Sequence, residues 1–225
     1  MEKAIIVDHL SKDKLFYDVS FTLQKGEFVG ILSPKASGKT TLLKLIAGLR
    51  SVSSGFISVM GFDPIKKQPD FLKQLSYLNS FKNDLWQNLP AIETFNLHKS
   101  TYEMNERDFR KNLEDLVAVF NLDNLLNIPV KNLSIEHRER IEFALGLIHN
   151  PSILLLDDPF LNLDPKMRHI LSDYLYEYAK INKTTVLLAS DKVEDLIGLA
   201  RRSIVIDERK LVFDGPLERI TENNE

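Results

Sequence analysis

Apolar residues along this chain follow two rhythms. Residues 4–7, 19–23 and 56–59 place apolar side chains in short stretches bounded by turn formers, the spacing of brief strands. These stretches are crowded and hairpin-like, so part of the sheet is expected to be antiparallel. Residues 28–32, Phe-Val-Gly-Ile-Leu, form an apolar run after the turn Gln24-Lys25-Gly26-Glu27. Ile153, Leu154, Leu155 and Leu156 form a second, as expected of a parallel strand buried on both faces. Further strands are predicted over 75–78, 185–189 and 203–206. Helices are predicted over 42–47, with Gly48 placed to end the first, over 134–149, after Pro165, and over 191–200. Ile141, Ala144, Leu145 and Ile148 give the 134–149 helix a buried face, and Ser134 caps it. A hairpin and a short helix close the chain. Strands alternating with helices predict an α/β fold with a mostly parallel sheet and helices on both faces.

The texture changes from about residue 90 to 126, where the pattern turns helical. Phe109, Leu113, Leu116, Val117 and Phe120 recur at helical spacing and read as a core-facing stripe. Residues 83–132 are therefore read as a helical subdomain inserted into the α/β core of a single domain spanning 1–225.

Composition narrows the function classes. The chain has 225 residues and a formal net charge of −3, so nothing pulls it strongly toward nucleic acid or an anionic membrane. It has no cysteine, which removes disulfides and thiolate metal sites. Its five histidines, His9, His98, His137, His149 and His169, show no metal-ligand spacing and read as surface or packing residues. No apolar run approaches the roughly 18 residues that span a bilayer. A chain of this kind working at a membrane is expected to dock on something else.

Candidate chemistry starts where the 28–32 strand ends. Ser33-Pro34-Lys35-Ala36-Ser37-Gly38-Lys39-Thr40-Thr41 joins that strand to the helix at 42–47. Strand, tight loop ending Gly-Lys-Thr, then helix is the layout of a phosphate-binding loop. Backbone N–H groups at the helix N-terminus face an anion, and the helix dipole favours it. Lys39 would meet the β- and γ-phosphates and the Thr40 hydroxyl would ligate Mg²⁺. Ser33 stands where the strict motif has its first glycine, and a strand–turn–helix with a chance Gly-Lys-Thr is the alternative. Asp157 ends the buried run 153–156, at the strand end that faces ligands in such sheets. It would hold Mg²⁺ through water opposite Thr40.

With these residues, Leu133-Ser134, Arg138, Arg140, Asn150-Pro151, Leu154 to Pro159 and Leu163-Asp164-Pro165 complete an order and spacing that resembles the ATP-binding subunit of ABC transporters. The resemblance runs from Leu10 to about Ile220. It implies a phosphate-loop NTPase core, ATP and Mg as cofactors, and a nucleotide-sandwich dimer. It also implies a membrane permease as partner and a peripheral place on the inner face of the plasma membrane. The short helical insert looks most like the subunits of drug, lipid or polysaccharide exporters.

Several positions depart from the family. Where members carry a glutamate that polarises the attacking water, this chain has Asp158. Asp191 aligns with a histidine that contacts the γ-phosphate, and Ser80 with a glutamine that senses Mg²⁺. The signature Leu-Ser-Gly-Gly-Gln becomes Leu133-Ser134-Ile135-Glu136-His137. Loss of both glycines stops the backbone from approaching a phosphate closely, and Glu136 adds negative charge. Ser134 and Glu136 also suit a plain helix start. Only Phe16 or Tyr17 could stack on adenine, and either could equally be buried packing. Asp164 is kept where the family makes its dimer contact. Phe81, Leu85 and Trp86 fall where the family borders its permease groove; Trp86 reads as a docking anchor or as packing within the helical subdomain.

The groups that bind Mg-nucleotide are thus retained, and those that hydrolyse it or read it across a dimer are altered. The expectation is an ATP-binding transporter subunit with strongly reduced hydrolysis, acting as a homodimer or with a second ATPase subunit. The alternative is a near-inactive structural or regulatory partner that binds nucleotide without appreciable turnover. A soluble family member acting on DNA or ribosomes would carry paired domains or long insertions. A small-molecule kinase would lack the 133–140 and 163–165 segments.

Overall fold

The computed structural model describes residues 2–34, 37–79 and 85–221. The chain runs β1 (Lys3–Lys12), β2 (Phe16–Gln24), β3 (Phe28–Leu32), α1 (Lys39–Ile46), β4 (Ser54–Val59), α2 (Pro69–Leu72) and β5 (Leu75–Asn79). It continues with α3 (Ala91–Thr101), α4 (Glu106–Phe120), α5 (Ile135–Leu147), β6 (Ile153–Asp157), α6 (Pro165–Asn182) and β7 (Thr185–Ser190). Last come β8 (Arg202–Asp207), β9 (Lys210–Pro216) and α7 (Glu218–Thr221).

Two sheets form. β2, β1 and β4 make an antiparallel sheet in that order, as the crowded N-terminal stretches implied. The second sheet has the order β5-β6-β7-β3-β8-β9; its strands are parallel up to β8, and β9 closes it as an antiparallel hairpin. The parallel register aligns the carboxyl ends: Asn79 pairs with Asp157, Asp157 with Ala189, and Leu32 with both Ser190 and Val205. One edge of this sheet therefore gathers the residues that follow β3, β5, β6 and β7.

Two buried clusters lie on the two faces of the sheet. Strand alternation divides β6 between them: Leu154 and Leu156 pack with α5 and α6, while Ile153 and Leu155 pack with α1 and the antiparallel sheet. Each side chain fully buried in this way contributes on the order of 1.5–3 kcal/mol. In α4, Asn105 caps the helix by accepting from the Asp108 N–H at 2.8 Å. Phe109, Leu116 and Phe120 are buried along its stripe, and Leu113 and Val117 pack against the same core. Leu85 and Phe95 also join that core, whereas Trp86 is 47% exposed. Trp86 is thus partly covered and partly exposed at the edge of that core; Phe81 lies outside the described residues.

The segment expected as a helix over 191–200 forms only a single 3₁₀ turn, Val193–Asp195. Its start is diverted by local side-chain bonds: the Ser190 hydroxyl accepts from the Lys192 N–H at 3.1 Å and donates to Asp195 at 2.6 Å. Its end is stopped by Gly198, whose φ of 81° is left-handed. No described helix is long and apolar enough to cross a membrane.

Candidate nucleotide site

The N-terminus of α1 carries no side-chain cap of its own, and no acidic residue stands in its first turn. Its first N–H groups therefore lack side-chain acceptors of their own. Gly38 precedes the helix at φ 102°, and a Cβ there would meet the Phe16 ring at 2.9 Å. The tight loop thus rests on a buried aromatic ring that leaves no room for a side chain. Phe16 is 2% exposed and serves as this packing, not as an adenine platform. Tyr17 is 65% exposed, with Lys210 Nζ 5.7 Å from its ring centroid.

Ser33 follows β3 with its hydroxyl bonded to the Ile206 carbonyl and to Ser37, so it anchors the loop to β8. Lys39 is buried and donates from Nζ to the Ser33 carbonyl at 2.9 Å. That bond folds the ammonium back over the loop. Pro34, Ser37, Thr40 and Thr41 complete the described part of the loop and helix start; Lys35, Ala36 and Ser80 lie outside the described residues.

Asp157 is 0% exposed at the end of β6. Its Oδ2 accepts from the Tyr77 hydroxyl at 3.1 Å and from Asn79 Nδ2 at 2.7 Å. Its Oδ1 is buried with no hydrogen-bond partner. Burial raises the pKa of this carboxyl, while the Thr40 hydroxyl, Tyr77, Lys44 and Lys39 pull it down. A buried carboxylate oxygen without a donor, beside a hydroxyl and two ammonium groups, suits a hydrated divalent cation. The donor set is all oxygen, as Mg²⁺ prefers, and Lys39 would meet the phosphates beside it.

Asp158 follows at φ 50°, its N–H donating to the Ala189 carbonyl at 2.9 Å. Burial raises its pKa; Lys39 opposes this, and Asp157, Asp191 and Asp195 add to it. The sheet edge thus brings Asp158 into electrostatic reach of both Lys39 and Asp191. Asp195 also pairs with Arg168 of α6, tying the loop after β7 to the helix that Asp164 caps.

The segment Leu133–His137 is built otherwise. Leu133 is buried, and Ser134 caps α5 by accepting from the His137 N–H at 3.1 Å. Ile135 is 66% exposed. Glu136 is paired with Arg140, which also lies 3.7 Å from Asp164. Asp164 caps α6 by accepting from the Met167 N–H at 2.9 Å, and that bond leads the causes holding its pKa below the usual carboxylate range. Glu136 therefore does not present the bare charge expected from the sequence. One turn on, Glu139 is buried, bonded by Asn162 and pushed up in pKa by that burial.

Sequence reasoning missed Tyr77, Asn79, Asn162 and Asp195. The Glu136–Arg140 pair was legible as an i,i+4 spacing of opposite charges. Asn79 needed the β5–β6 adjacency, which spacing alone does not reveal.

Comparison with known proteins agrees with this geometry. The family model described as ABC transporter matches residues 16–161. The ABC transporter ATP-binding protein NatA of Bacillus subtilis is 31% identical over 210 residues, covering 93% of this chain and 85% of NatA. The thiamine import ATP-binding protein ThiQ of Shigella flexneri is 30% identical, covering 89% and 86%. Among solved structures, an ATP-binding subunit of an ABC transporter superposes with a TM-score of 0.89, at 22% identity, covering 98% of this chain and 93% of that one. The protein cbiO1 of Clostridium perfringens, part of the ABC transporter complex cbiONQ, gives 0.83 at 20% identity, covering 100% and 93%. At those identities the structural likeness speaks for the fold. The sequence matches reach further: this chain belongs to the ABC transporter family, as an ATP-binding domain.

Proposed function

We propose that this chain is a nucleotide-binding transporter subunit that holds Mg-ATP and hydrolyses it slowly. One observation carries the binding reading: Lys39, Thr40 and a buried Asp157 with a free Oδ1 converge beside the uncapped start of α1. When bound, Mg²⁺ would neutralise phosphate charge. Lys39 would hold the β- and γ-phosphates, and Thr40 and Asp157 would hold the metal, Asp157 through water.

Slow hydrolysis follows from what surrounds that site. Asp158 and Asp191 stand where the family has a glutamate and a histidine. One methylene less withdraws the carboxylate by about an ångström, and a displacement of that size can cost roughly 10²-fold. A second carboxylate beside the γ-phosphate repels developing negative charge instead of stabilising it. Carried to the limit, the same carboxylates favour the reading of a regulatory partner without appreciable turnover.

Residues 83–132 act in this proposal as a helical subdomain facing a membrane permease. The exposed Trp86 supplies an aromatic anchor of the kind enriched at such contacts. The cbiO1 neighbour is part of a transporter complex by its title, which supports a permease partner and a peripheral place on the cytoplasmic face of the membrane. The thiamine relative carries import in its name, so the exporter likeness of the short helical insert is not carried forward. The partner across a nucleotide sandwich would be a second ATPase subunit or a second copy. Nucleic acid is no partner here, given the net charge of −3.

Phosphate release by the purified chain at saturating Mg-ATP tests the proposal. The expected rate is about 0.1 per second, a hundredfold below a common enzyme turnover of about 10 per second. Turnover at the common rate would overturn the slow-hydrolysis reading while leaving nucleotide binding in place.

A further inference from the structure

The parallel pairing of β5 with β6 sets Asn79 opposite Asp157. Asn79 Nδ2 donates to Asp157 Oδ2 at 2.7 Å and to the Tyr77 hydroxyl at 2.9 Å. Tyr77 in turn donates its proton to the same Oδ2 at 3.1 Å. A carboxamide nitrogen has two hydrogens, so both bonds are available to it at once, and an ionised carboxylate can only accept. One oxygen of Asp157 is therefore held by two donors from a neighbouring strand. The other, buried and without a hydrogen bond, is the only one left for a metal-bound water.

We propose that Asn79, supported by Tyr77, is the positioning residue for the metal site, fixing Asp157 so that Oδ1 alone faces Mg²⁺. This rests on the nucleotide reading above and deepens it. Position 80, which the family resemblance assigns to metal sensing, carries a serine, shorter than the family's glutamine. Asn79, the residue before it and the last of β5, already reaches the aspartate proposed to hold the metal. Groups behind a metal ligand orient it and tune its affinity, and their loss commonly costs about 10–100-fold in metal binding. A merely structural role, in which Asn79 only satisfies a buried carboxylate, predicts loss of stability and of nucleotide affinity with and without metal alike.

The test is ATP affinity measured by calorimetry on the full chain, once with chelator and once with excess Mg²⁺. Mn²⁺ serves as a second probe, followed by water-proton relaxation. Asn79→Ala is expected to lower the Mg²⁺ enhancement and the Mn²⁺ affinity about tenfold. Its chelator-condition ATP affinity should stay within about twofold of the parent, since the Lys39 and α1 contacts to phosphate are untouched. Tyr77→Phe removes only the hydroxyl, and a severalfold smaller enhancement is expected; it decides the matter if Asn79→Ala does not fold. Full enhancement in the variant that folds overturns the inference, as does a proportional loss under both conditions. If the parent chain bound no ATP at all, the nucleotide reading would fail and this inference with it. ATP binding with an unaltered metal response defeats this inference alone.

Discussion

The carboxyl edge of the parallel sheet and the start of α5 are two helix-bearing surfaces that the family resemblance directs at nucleotide, and they are finished in opposite ways. At the sheet edge, α1 begins without a side-chain cap, and Asp157 keeps a buried oxygen without a partner. At α5, Ser134 caps the helix, Arg140 takes the charge of Glu136, and Asp164 beside them caps α6. Polar groups left unmatched inside a fold are costly, so each calls for an explanation, of which a bound ion or water is one. Groups already matched by their own chain have little to offer a ligand. The proposal of a nucleotide site rests on the first surface, where the unmatched carboxylate oxygen lies beside an uncapped helix. The second is a capped helix start, although Arg138 Nε, Glu139 Oε2 and Arg140 Nε within α5 also lack partners.

The largest effect expected from sharpening this contrast concerns hydrolysis. Asp158→Glu combined with Asp191→His should raise phosphate release by about 10²-fold, and by more than the product of the single changes, because such groups act as a unit. Independent small gains from each change would show that these two positions do not limit the reaction.

A smaller effect should come from the scaffold behind α5. His149 stacks on Tyr102 with ring centroids 3.8 Å apart, and burial, then His98, pushes its pKa down to about 4 from 6.5. Facing it are His98 of α3, Tyr102 just after that helix, Glu142 of α5 and the backbone of β5. The folded state binds the proton less readily than the unfolded chain. Its contribution is therefore fully present above pH 6.5 and is lost as the pH falls toward 4. Between pH 8 and pH 5 the loss is about 2 kcal/mol. Urea unfolding should show it, and His149→Phe should flatten that slope. An unchanged pH dependence in the variant would mean that His149 is not buried neutral.

Much of this molecule was legible in its sequence, for physical reasons. A strand buried on both faces must be apolar throughout, so β3 and β6 announced themselves, and the Gly-Lys-Thr turn placed α1. The α4 stripe from Phe109 to Phe120 was equally plain because its period matches the helix. The 191–200 segment misled because Leu196 and Leu199 keep helical spacing, while the Ser190 hydroxyl and Gly198 decide the backbone. Asn79 stayed invisible because its role depends on which strand lies beside β6. Glu136 reads as added negative charge in the sequence, although its i,i+4 spacing to Arg140 already carries the signal of their pairing.

Ser134→Ala should cost about 1 kcal/mol in unfolding free energy, the usual value of an N-cap, with ATP affinity unchanged. A fall in ATP affinity larger than the fall in stability would give Ser134 a part in binding and narrow the difference between the two surfaces. The smallest response is expected from light scattering: Mg-ATP alone should leave the hydrodynamic size of the chain unaltered. Ile135 stands exposed where the family has a glycine, and Arg140 already pairs with Glu136. A tight ATP-dependent dimer would show that this segment does engage a phosphate.

Titration calorimetry with Mg-ATP on three proteins puts both surfaces to the test together: the parent chain, Lys39→Ala, and the double change Ile135→Gly with Glu136→Gly. The parent should bind, Lys39→Ala should show no binding at millimolar nucleotide, and the double variant should match the parent. Binding that survives Lys39→Ala, or that is lost in the double variant while its fold is kept, would contradict the assignment of nucleotide binding to the sheet edge.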